Sequence, residues 1–321
     1  MKISDLLHPM IFLRRRYYWE RVRKAKSFNQ LIDNDKVKAI QMKWLSFYGK
    51  KLNLSNPVTL NEKIQWLQCF TKTDKWTVLA DKYEVRKFVT EKGLGHILTK
   101  CYGVWSNADE IDFNILPESF VLKGTHDCKS SYIVRNKKCD LDEVQARTLM
   151  RESLGKKFGY DTCEPHYTKI VPRIMAEEYL EDNSNDSSSI IDYKIWCFNG
   201  QPECIFVVYN RPSNVNVDQA VYDLYTPTWE QIDEKLTPHY RKSITHKLNK
   251  PRNLKTMLEV ATTLSQGFPQ VRIDLYNIKG KVYFGEMTFT SEQGRMGYFT
   301  NAYQIELGKK VILPNKDIIK P

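Results

Sequence analysis

The chain has 321 residues, of which 41% are hydrophobic and 12% aromatic, and its formal net charge is +11. This length and composition predict a folded protein with a sizeable core and exclude disordered and collagen-like chains. No apolar run approaches the roughly 20 residues that span a bilayer, and no secretory signal is evident, so a cytoplasmic protein is expected. The seven cysteines are scattered without a C-x-x-C pair, which predicts reduced thiols.

The positive charge predicts an acidic partner. We find no nucleic-acid-binding motif, so nucleic acid is not an expected partner. The basic, aromatic segment 14–26 has two interpretations: peripheral contact with the cytoplasmic face of the inner membrane, and an ordinary solvated helix.

Residue periodicity predicts helices first, then mixed strands and helices, then an antiparallel sheet with a helix. Helices are predicted within residues 1–75 and over 81–89, 140–158 and 252–266. Strands are predicted over 119–123, 131–134, 173–180, 190–198, 203–209, 271–276 and 284–288, and segment 94–98 is predicted to lead into a strand. Asn199-Gly200 is typical of a hairpin turn. This order predicts an α+β fold.

The last two predicted strands, 271–276 and 284–288, each carry one carboxylate among apolar residues. A tight turn at 279–281 would place Asp274 and Glu286 opposite each other. Two neighbouring buried carboxylates repel unless a cation lies between them, and such hard oxygen ligands suit magnesium carrying a nucleotide phosphate. The alternative is that both are solvated, because their apolar neighbours point to the opposite face of the strand.

Several segments in this order resemble the TupA-like ATP-grasp family of cell-surface polysaccharide gene clusters, from about Asn56 to Gly308. The segments that carry the resemblance are NEKIQWL (61–67), DKYEVR (81–86), FVLKGTH (120–126), AEEYL (176–180), DYK (192–194), CFNG (197–200) and FGEMTFT (284–290). The resemblance implies an ATP-grasp fold, in which two α+β lobes hold ATP between them. The implied division is a helical N-terminal region (1–75), an N-terminal and lid lobe (76–172) and a C-terminal lobe with the metal site (173–321).

The resemblance also implies which residues contact ATP. They would be two phosphate-binding lysines, three lid residues, three hinge residues and one ribose-binding carboxylate, namely Lys82, Lys123, Gly124, Thr125, His126, Glu177, Glu178, Tyr179 and Asp192.

On the opposite lobe, the resemblance implies that Asp274, Glu286 and Thr288 bind Mg²⁺. Arg272 and Lys194 would be the catalytic residues. Arg272 would stabilise negative charge on the acyl centre, and Lys194 would contact the γ-phosphate.

The lid loop departs from the family, in which many members have Gly-Ser-Gly after the histidine. Here Asp127 follows His126, and its charge is expected to disfavour nearby phosphates, with Lys129 as the compensating cation.

The implied activity is an ATP-dependent carboxylate–amine ligase that forms an amide through an acylphosphate. Its carboxylate would be a uronic acid of an acidic glycan or of a sugar precursor, and its second substrate an amine. Two alternatives stay open. One is a glycosyltransferase of capsule or exopolysaccharide biosynthesis, with Asp109, Glu110 and Asp112 as its acidic cluster. The other is a non-catalytic adaptor of an assembly complex.

Overall fold

The computed structural model describes residues 31–182, 186–211, 220–241 and 248–315. The two interpretations of segment 14–26 lie outside these residues. Within the described ranges, no helix combines the length and the apolar character that a membrane crossing requires.

The N-terminal part of the described chain is helical, in agreement with the sequence prediction for this region. Its helices are α1 (Lys36–Tyr48), α2 (Leu60–Phe70), α3 (Asp74–Ala80) and α4 (Val85–Glu91). A capping box begins α2, in which the Thr59 hydroxyl accepts from the Glu62 backbone N–H and the Glu62 carboxylate accepts from the Thr59 backbone N–H.

A four-stranded antiparallel sheet follows these helices. It contains β1 (Cys101–Trp105), β2 (Phe120–Gly124), β3 (Ser131–Val134) and β4 (Ile174–Glu178), in the spatial order β1-β4-β2-β3. Helices α5 (Lys137–Asp140) and α6 (Glu143–Gly155) lie between β3 and β4 in the chain, and α6 packs on β2. The Asp142 carboxylate begins α6 by accepting from the Gln145 backbone N–H at 2.9 Å.

A five-stranded antiparallel sheet forms the C-terminal part. It contains β5 (Asp192–Phe198), β6 (Gln201–Tyr209), β7 (Val221–Tyr225), β8 (Gln270–Ile278) and β9 (Lys281–Thr288), in the order β7-β6-β5-β8-β9. Helix α7 (Leu254–Ser265) packs on β5, β6 and β8, and α8 (Asn301–Lys310) packs on α2. Asn199 and Gly200 adopt φ values of 50° and 81°, so the predicted hairpin turn is confirmed.

The buried apolar side chains form two clusters in the described chain. The larger one joins α1–α4 to the five-stranded sheet, and the smaller one lies between the four-stranded sheet and α6. Trp76 of α3 stacks on Phe289, just after β9, with ring centroids 4.9 Å apart. The predicted α+β arrangement is confirmed. The proposed division of the chain at residues 76 and 173 remains a prediction.

Segment 94–98 leads into strand β1, as predicted, through a 3₁₀ turn at Gly95–Ile97. One predicted element was wrong. The helix predicted over 81–89 begins only at α4. The Asp81 carboxylate accepts from the Tyr83 backbone N–H at 2.7 Å and so stabilises a turn in place of the first helical residues.

Candidate active site

The strand pair β8–β9 places the predicted metal ligands side by side. Asp274 lies directly opposite Glu286, and Arg272 lies opposite Thr288. Residues two apart on a strand share a face, so all four side chains point to the same side of the sheet. A bulge at Gly285 follows the Asp274–Glu286 pair and sets this register.

Arg272 and Asp274 form a buried bidentate ion pair. Arg272 Nε donates to Asp274 Oδ1 and Nη2 donates to Oδ2, both at 2.7 Å. Arg272 Nη1 also donates to the Ser291 hydroxyl, and Nη2 donates to Thr288 Oγ1 at 3.1 Å. Burial by itself would lower the pKa of Arg272, but the Asp274 carboxylate raises it well above its usual value. These contacts hold the guanidinium in one position.

Lys194 extends this network onto β5. Its Nζ lies 2.5 Å from Asp274 Oδ2 and 2.7 Å from Asp192 Oδ2. Arg211 Nη2 donates to the same Asp192 oxygen at 2.8 Å. Asp192, which the resemblance implies binds the ribose, is therefore buried between two cations.

Glu286 is the more accessible of the two predicted carboxylate ligands, with 46% of its side chain exposed. Its Oε1 accepts from Arg272 Nη2 at 3.2 Å and from the Thr288 hydroxyl at 2.8 Å. Its surroundings oppose ionisation, but the charges of Lys194, Arg272 and Lys82 outweigh that effect and hold its pKa below the usual value.

The oxygen atoms of this face are of the chemical type that Mg²⁺ prefers, and Asp274 is already bound by Arg272 and Lys194. Asp274, Glu286 and Thr288 offer hard oxygen atoms. Within the described ranges, no group of three or more His, Cys, Asp or Glu side chains is arranged to hold a metal. Phosphate oxygens and water would therefore complete the coordination, as is usual for Mg²⁺.

Lys82 approaches this face from the segment after α3. Its backbone N–H donates to the Thr125 carbonyl at 3.0 Å, and its Nζ donates to the Asp127 carbonyl. Burial lowers its pKa, which the charge of Glu286 raises and that of Lys123 lowers. Lys82 therefore lies within electrostatic reach of both the metal-ligand face and the second predicted phosphate-binding lysine.

Lys123 lies at the end of β2 and pairs with a residue of the predicted hinge. Its Nζ forms a salt bridge with Glu177, whose other carboxylate oxygen accepts from the Thr99 hydroxyl at 3.0 Å. The next two hinge residues are anchored separately. Glu178 Oε2 accepts from the Lys100 backbone N–H at 3.1 Å. The Tyr179 hydroxyl accepts from Arg135 Nε at 3.0 Å.

The lid loop after Gly124 is more buried than its sequence suggests. Thr125 and His126 are buried, and burial lowers the pKa of His126. The Asp127 carboxylate is also buried, and it accepts from Ser130, from Ser153 at 3.2 Å and from Lys156 at 3.0 Å. The expectation that Lys129 compensates this charge was wrong, because Lys156 of the segment after α6 does so.

The family comparison agrees with this geometry. The family model described as TupA-like ATPgrasp matches residues 62–312. The chain belongs to the TupA-like ATP-grasp family. This assignment confirms the predicted resemblance and the ATP-grasp fold. No curated protein matches the chain by sequence.

Solved structures similar to this ATP-grasp protein share little sequence with it. D-alanine–D-alanine ligase from Bacillus anthracis complexed with ATP has 13% identity and a TM-score of 0.38, over 66% of this chain and 55% of that chain. L-amino acid ligase from Bacillus licheniformis has 14% identity and a TM-score of 0.46, over 82% and 57%. The ADP complex of N5-carboxyaminoimidazole ribonucleotide synthetase has 14% identity and a TM-score of 0.45, over 87% and 63%. The chain spans less than two thirds of the length of these three proteins.

Sequence reasoning missed the residues that hold Arg272 and the segment directly after β9. Ser291 holds Arg272, and Glu164 accepts from the Thr290 hydroxyl in the segment after β9. Burial raises the pKa of Glu164 to about 7. Glu164 lies in an irregular segment, so no periodic pattern marks it. Ser153 and Lys156 are three positions apart. This i, i+3 spacing places two residues on one face of a helix and could have suggested a shared partner.

Proposed function

We propose that this protein is an ATP-dependent carboxylate–amine ligase that modifies a cell-surface polysaccharide or its sugar precursor. The observation that carries the proposal is the approach of a cationic loop to a carboxylate face. Asp274 lies opposite Glu286 on the strand pair β8–β9, with Arg272 and Lys194 bound to Asp274. The Lys82 ammonium is held by the Asp127 carbonyl of the lid loop. The charge of Lys82 helps to lower the pKa of Glu286. A nucleotide whose phosphates lie between them would meet a metal-ligand face on one side and two lysines on the other.

The chain's own residues would support two displacement steps. In the first, a substrate carboxylate oxygen attacks the γ-phosphorus and ADP leaves, while Lys82, Lys123 and Lys194 stabilise the phosphate charge. In the second, the amine nitrogen attacks the acyl carbon, the phosphate leaves and the nitrogen loses a proton. Arg272, immobilised by Asp274, would stabilise the negative charge that develops on the acyl oxygen.

Asp274, Glu286 and Thr288 would hold magnesium at this face. When bound, the ion would neutralise charge on the β- and γ-phosphates. Lys194 is already paired with Asp274, so this ammonium and the metal would share one carboxylate.

The proposed carboxylate substrate is a uronic acid, and the proposed amine is an amino acid or another small amine. The net charge of +11 supports an acidic glycan or lipid-linked sugar as the larger substrate. The site would work on the cytoplasmic side, where ATP is available, with the enzyme free or at the inner-membrane face.

Binding of Mg·ATP tests this proposal first. We expect Mg·ATP to raise the melting temperature, because a ligand at about 100 times its Kd stabilises the native state by about 2.7 kcal/mol. UDP-sugars should produce no such shift. With uronic acids and amines added, the protein should release ADP and phosphate.

Glu286→Gln tests the metal ligands directly. Its side chain is half-exposed, whereas that of Asp274 is buried, so we expect the substitution to disturb folding less than a change at Asp274. It should weaken Mg·ATP binding by at least about tenfold in calorimetry, since one charged metal ligand is lost. Glu259→Gln, on the exposed face of α7, is the matched control and should bind normally. Wild-type protein that binds no Mg·ATP, or a Glu286→Gln variant that binds it fully, would contradict the proposal.

No observation within the described ranges favours the glycosyltransferase alternative. Asp109 pairs with Arg151, and Asp112 caps its own turn by accepting from the Asn114 backbone N–H. Two of the three carboxylates of the candidate acidic cluster thus have structural partners.

A further inference from the structure

In the loop between β2 and β3, the side chain and the main-chain carbonyl of Asp127 contact different parts of the molecule. The side chain of Asp127 points into the four-stranded-sheet part of the molecule, where its carboxylate is only 1% exposed. Its main-chain carbonyl points the other way and accepts from Lys82 Nζ. One residue therefore joins the buried interior to a predicted phosphate-binding lysine.

The carboxylate is held by three donors from two elements. Ser130 belongs to the same loop, whereas Ser153 lies in α6 and Lys156 directly after it. Lys156 also donates to the Ser130 hydroxyl, which links these two donors to each other. Charge-assisted hydrogen bonds of this kind fix a buried carboxylate, because any other position would leave its charge unpaired.

The end of β2 is shaped to admit this carboxylate. A Cβ atom at Gly124 would overlap both Asp127 Oδ1 and Ser153 Oγ. The Gly124 backbone N–H donates to the Ser130 carbonyl at 3.4 Å, which closes the loop around the side chain. A larger residue at position 124 would therefore require the Asp127 and Ser153 side chains to move.

Lys82 is joined to the loop at a second point. Its backbone N–H donates to the Thr125 carbonyl at 3.0 Å, and Thr125 in turn donates to the Arg173 carbonyl at 2.8 Å. With both its backbone and its ammonium bound to the loop, Lys82 has little freedom to reorient unless the loop itself moves.

We propose that Asp127 is a positioning residue for Lys82, because its buried carboxylate fixes the loop whose carbonyl holds the Lys82 ammonium toward the nucleotide phosphates. This inference rests on the proposed function for the identity of the ligand. From the sequence, the charge of Asp127 is expected to disfavour phosphate binding. In this proposal the carboxylate instead supports ATP binding indirectly, through the position of Lys82. Arrival of the phosphates would replace the carbonyl as the partner of the ammonium.

Substitution of Asp127 tests the proposal with two readouts. Asp127→Ala removes the acceptor for Ser153 and Lys156, and it should weaken ATP binding by about tenfold, the usual effect of losing a charge-assisted hydrogen bond. Without ATP, acetylation of Lys82 followed by mass spectrometry should become severalfold faster, because the ammonium loses its fixed acceptor. Asp127→Asn keeps an acceptor oxygen and should retain more ATP affinity than Asp127→Ala.

Asp223→Asn is the matched control. Asp223 is also fully buried and accepts from Tyr209 at 3.0 Å and Tyr225 at 3.2 Å, but it lies in the outer strand β7. It should leave both ATP affinity and Lys82 acetylation unchanged, even if it lowers the melting temperature. If Asp127 had only a structural role, the Asp127 variants and Asp223→Asn would behave alike in both readouts.

The outcomes separate the two proposals. If Asp127→Ala does not fold, Ser153→Ala removes one donor without removing charge and should show smaller changes in the same direction. Normal ATP affinity and normal Lys82 acetylation in these variants would overturn the positioning role. A wild-type protein that binds no ATP would overturn the proposed function, while faster Lys82 acetylation in Asp127→Ala would still support the link between loop and lysine.

Discussion

At the scale of single residues, the site is organised by charge compensation. Two opposed carboxylates were expected to need a cation between them, and the protein supplies its own. Arg272 contacts both Asp274 and Glu286, and Lys194 contacts Asp274. A buried carboxylate is tolerated only with such partners. The face is therefore organised before any metal or nucleotide binds, which reduces the reorganisation that binding requires.

His166 gives a residue-scale prediction for acid stability. It is fully buried against Trp76, Tyr167 and Phe289, and neither ring nitrogen has a hydrogen-bond partner within the part of the chain that the structure describes. Burial lowers its pKa from the usual 6.5 of a solvated histidine to about 3. Between these two pH values, His166 is protonated in the unfolded chain but neutral in the native protein.

The contribution of His166 to stability is complete above its unfolded pKa and is lost as the pH falls toward its folded pKa. Between those values, the free energy of unfolding should fall by about 1.4 kcal/mol per pH unit from this residue alone. His166→Phe keeps the aromatic shape and should remove this part of the slope, as measured by urea denaturation across that pH range. An unchanged slope would show that His166 is not responsible.

At the scale of elements, the β8–β9 hairpin is the unit that builds the proposed metal-binding face. The alternating pattern predicts both strands, but the bulge at Gly285 decides which residues lie opposite each other. Without it, a shift of one residue would turn Glu286 to the other face of the sheet. Gly285 also lies close to the neighbouring strand, since a Cβ there would be 2.9 Å from the Asp274 carbonyl oxygen.

Gly285→Ala should therefore push β9 away from β8. We expect the free energy of unfolding to fall by about 1–3 kcal/mol, the usual cost of overpacking, and Mg·ATP binding to weaken because the two carboxylates separate. Denaturation and calorimetry measure these effects. Gly155→Ala, at the end of α6 with no atom within 4 Å of the new methyl group, is the control. Equal behaviour of the two variants would show that the close approach at Gly285 has no consequence.

At the scale of the whole molecule, the two hydrophobic clusters suggest two cooperative units. The four-stranded sheet and α6 share the smaller cluster, and the helices α1–α4 share the larger one with the five-stranded sheet. Lys123 and the lid loop belong to the first unit, while Asp274 and Glu286 belong to the second. The candidate site therefore depends on how the two units meet.

Phe120→Ala tests this separation. Phe120 is fully buried in the smaller cluster, and its truncation should cost about 3–5 kcal/mol. We expect hydrogen exchange, followed by mass spectrometry, to become faster in β1–β4 while β5–β9 stay protected. Ile195→Ala, fully buried on β5, should show the reverse pattern. Uniformly faster exchange in both variants would indicate a single cooperative unit.

The amino-acid sequence alone determined the local features of this protein. Asn199-Gly200 specifies a hairpin turn, Thr59 and Glu62 begin a helix, and the order of elements indicates an α+β fold. These features follow from each residue's nearest neighbours and from hydrophobic periodicity, which can be read along the chain.

Only the tertiary structure decided where the charged side chains point. Asp127 meets Lys156 across 29 positions, and Lys194 meets Asp274 across 80. Such pairs depend on which surfaces pack together and how much water they exclude. Neither property can be predicted from the local sequence pattern. The resemblance of sequence segments predicted most of the candidate site residues. The proposed role of Asp127 depends on contacts that only the folded chain shows.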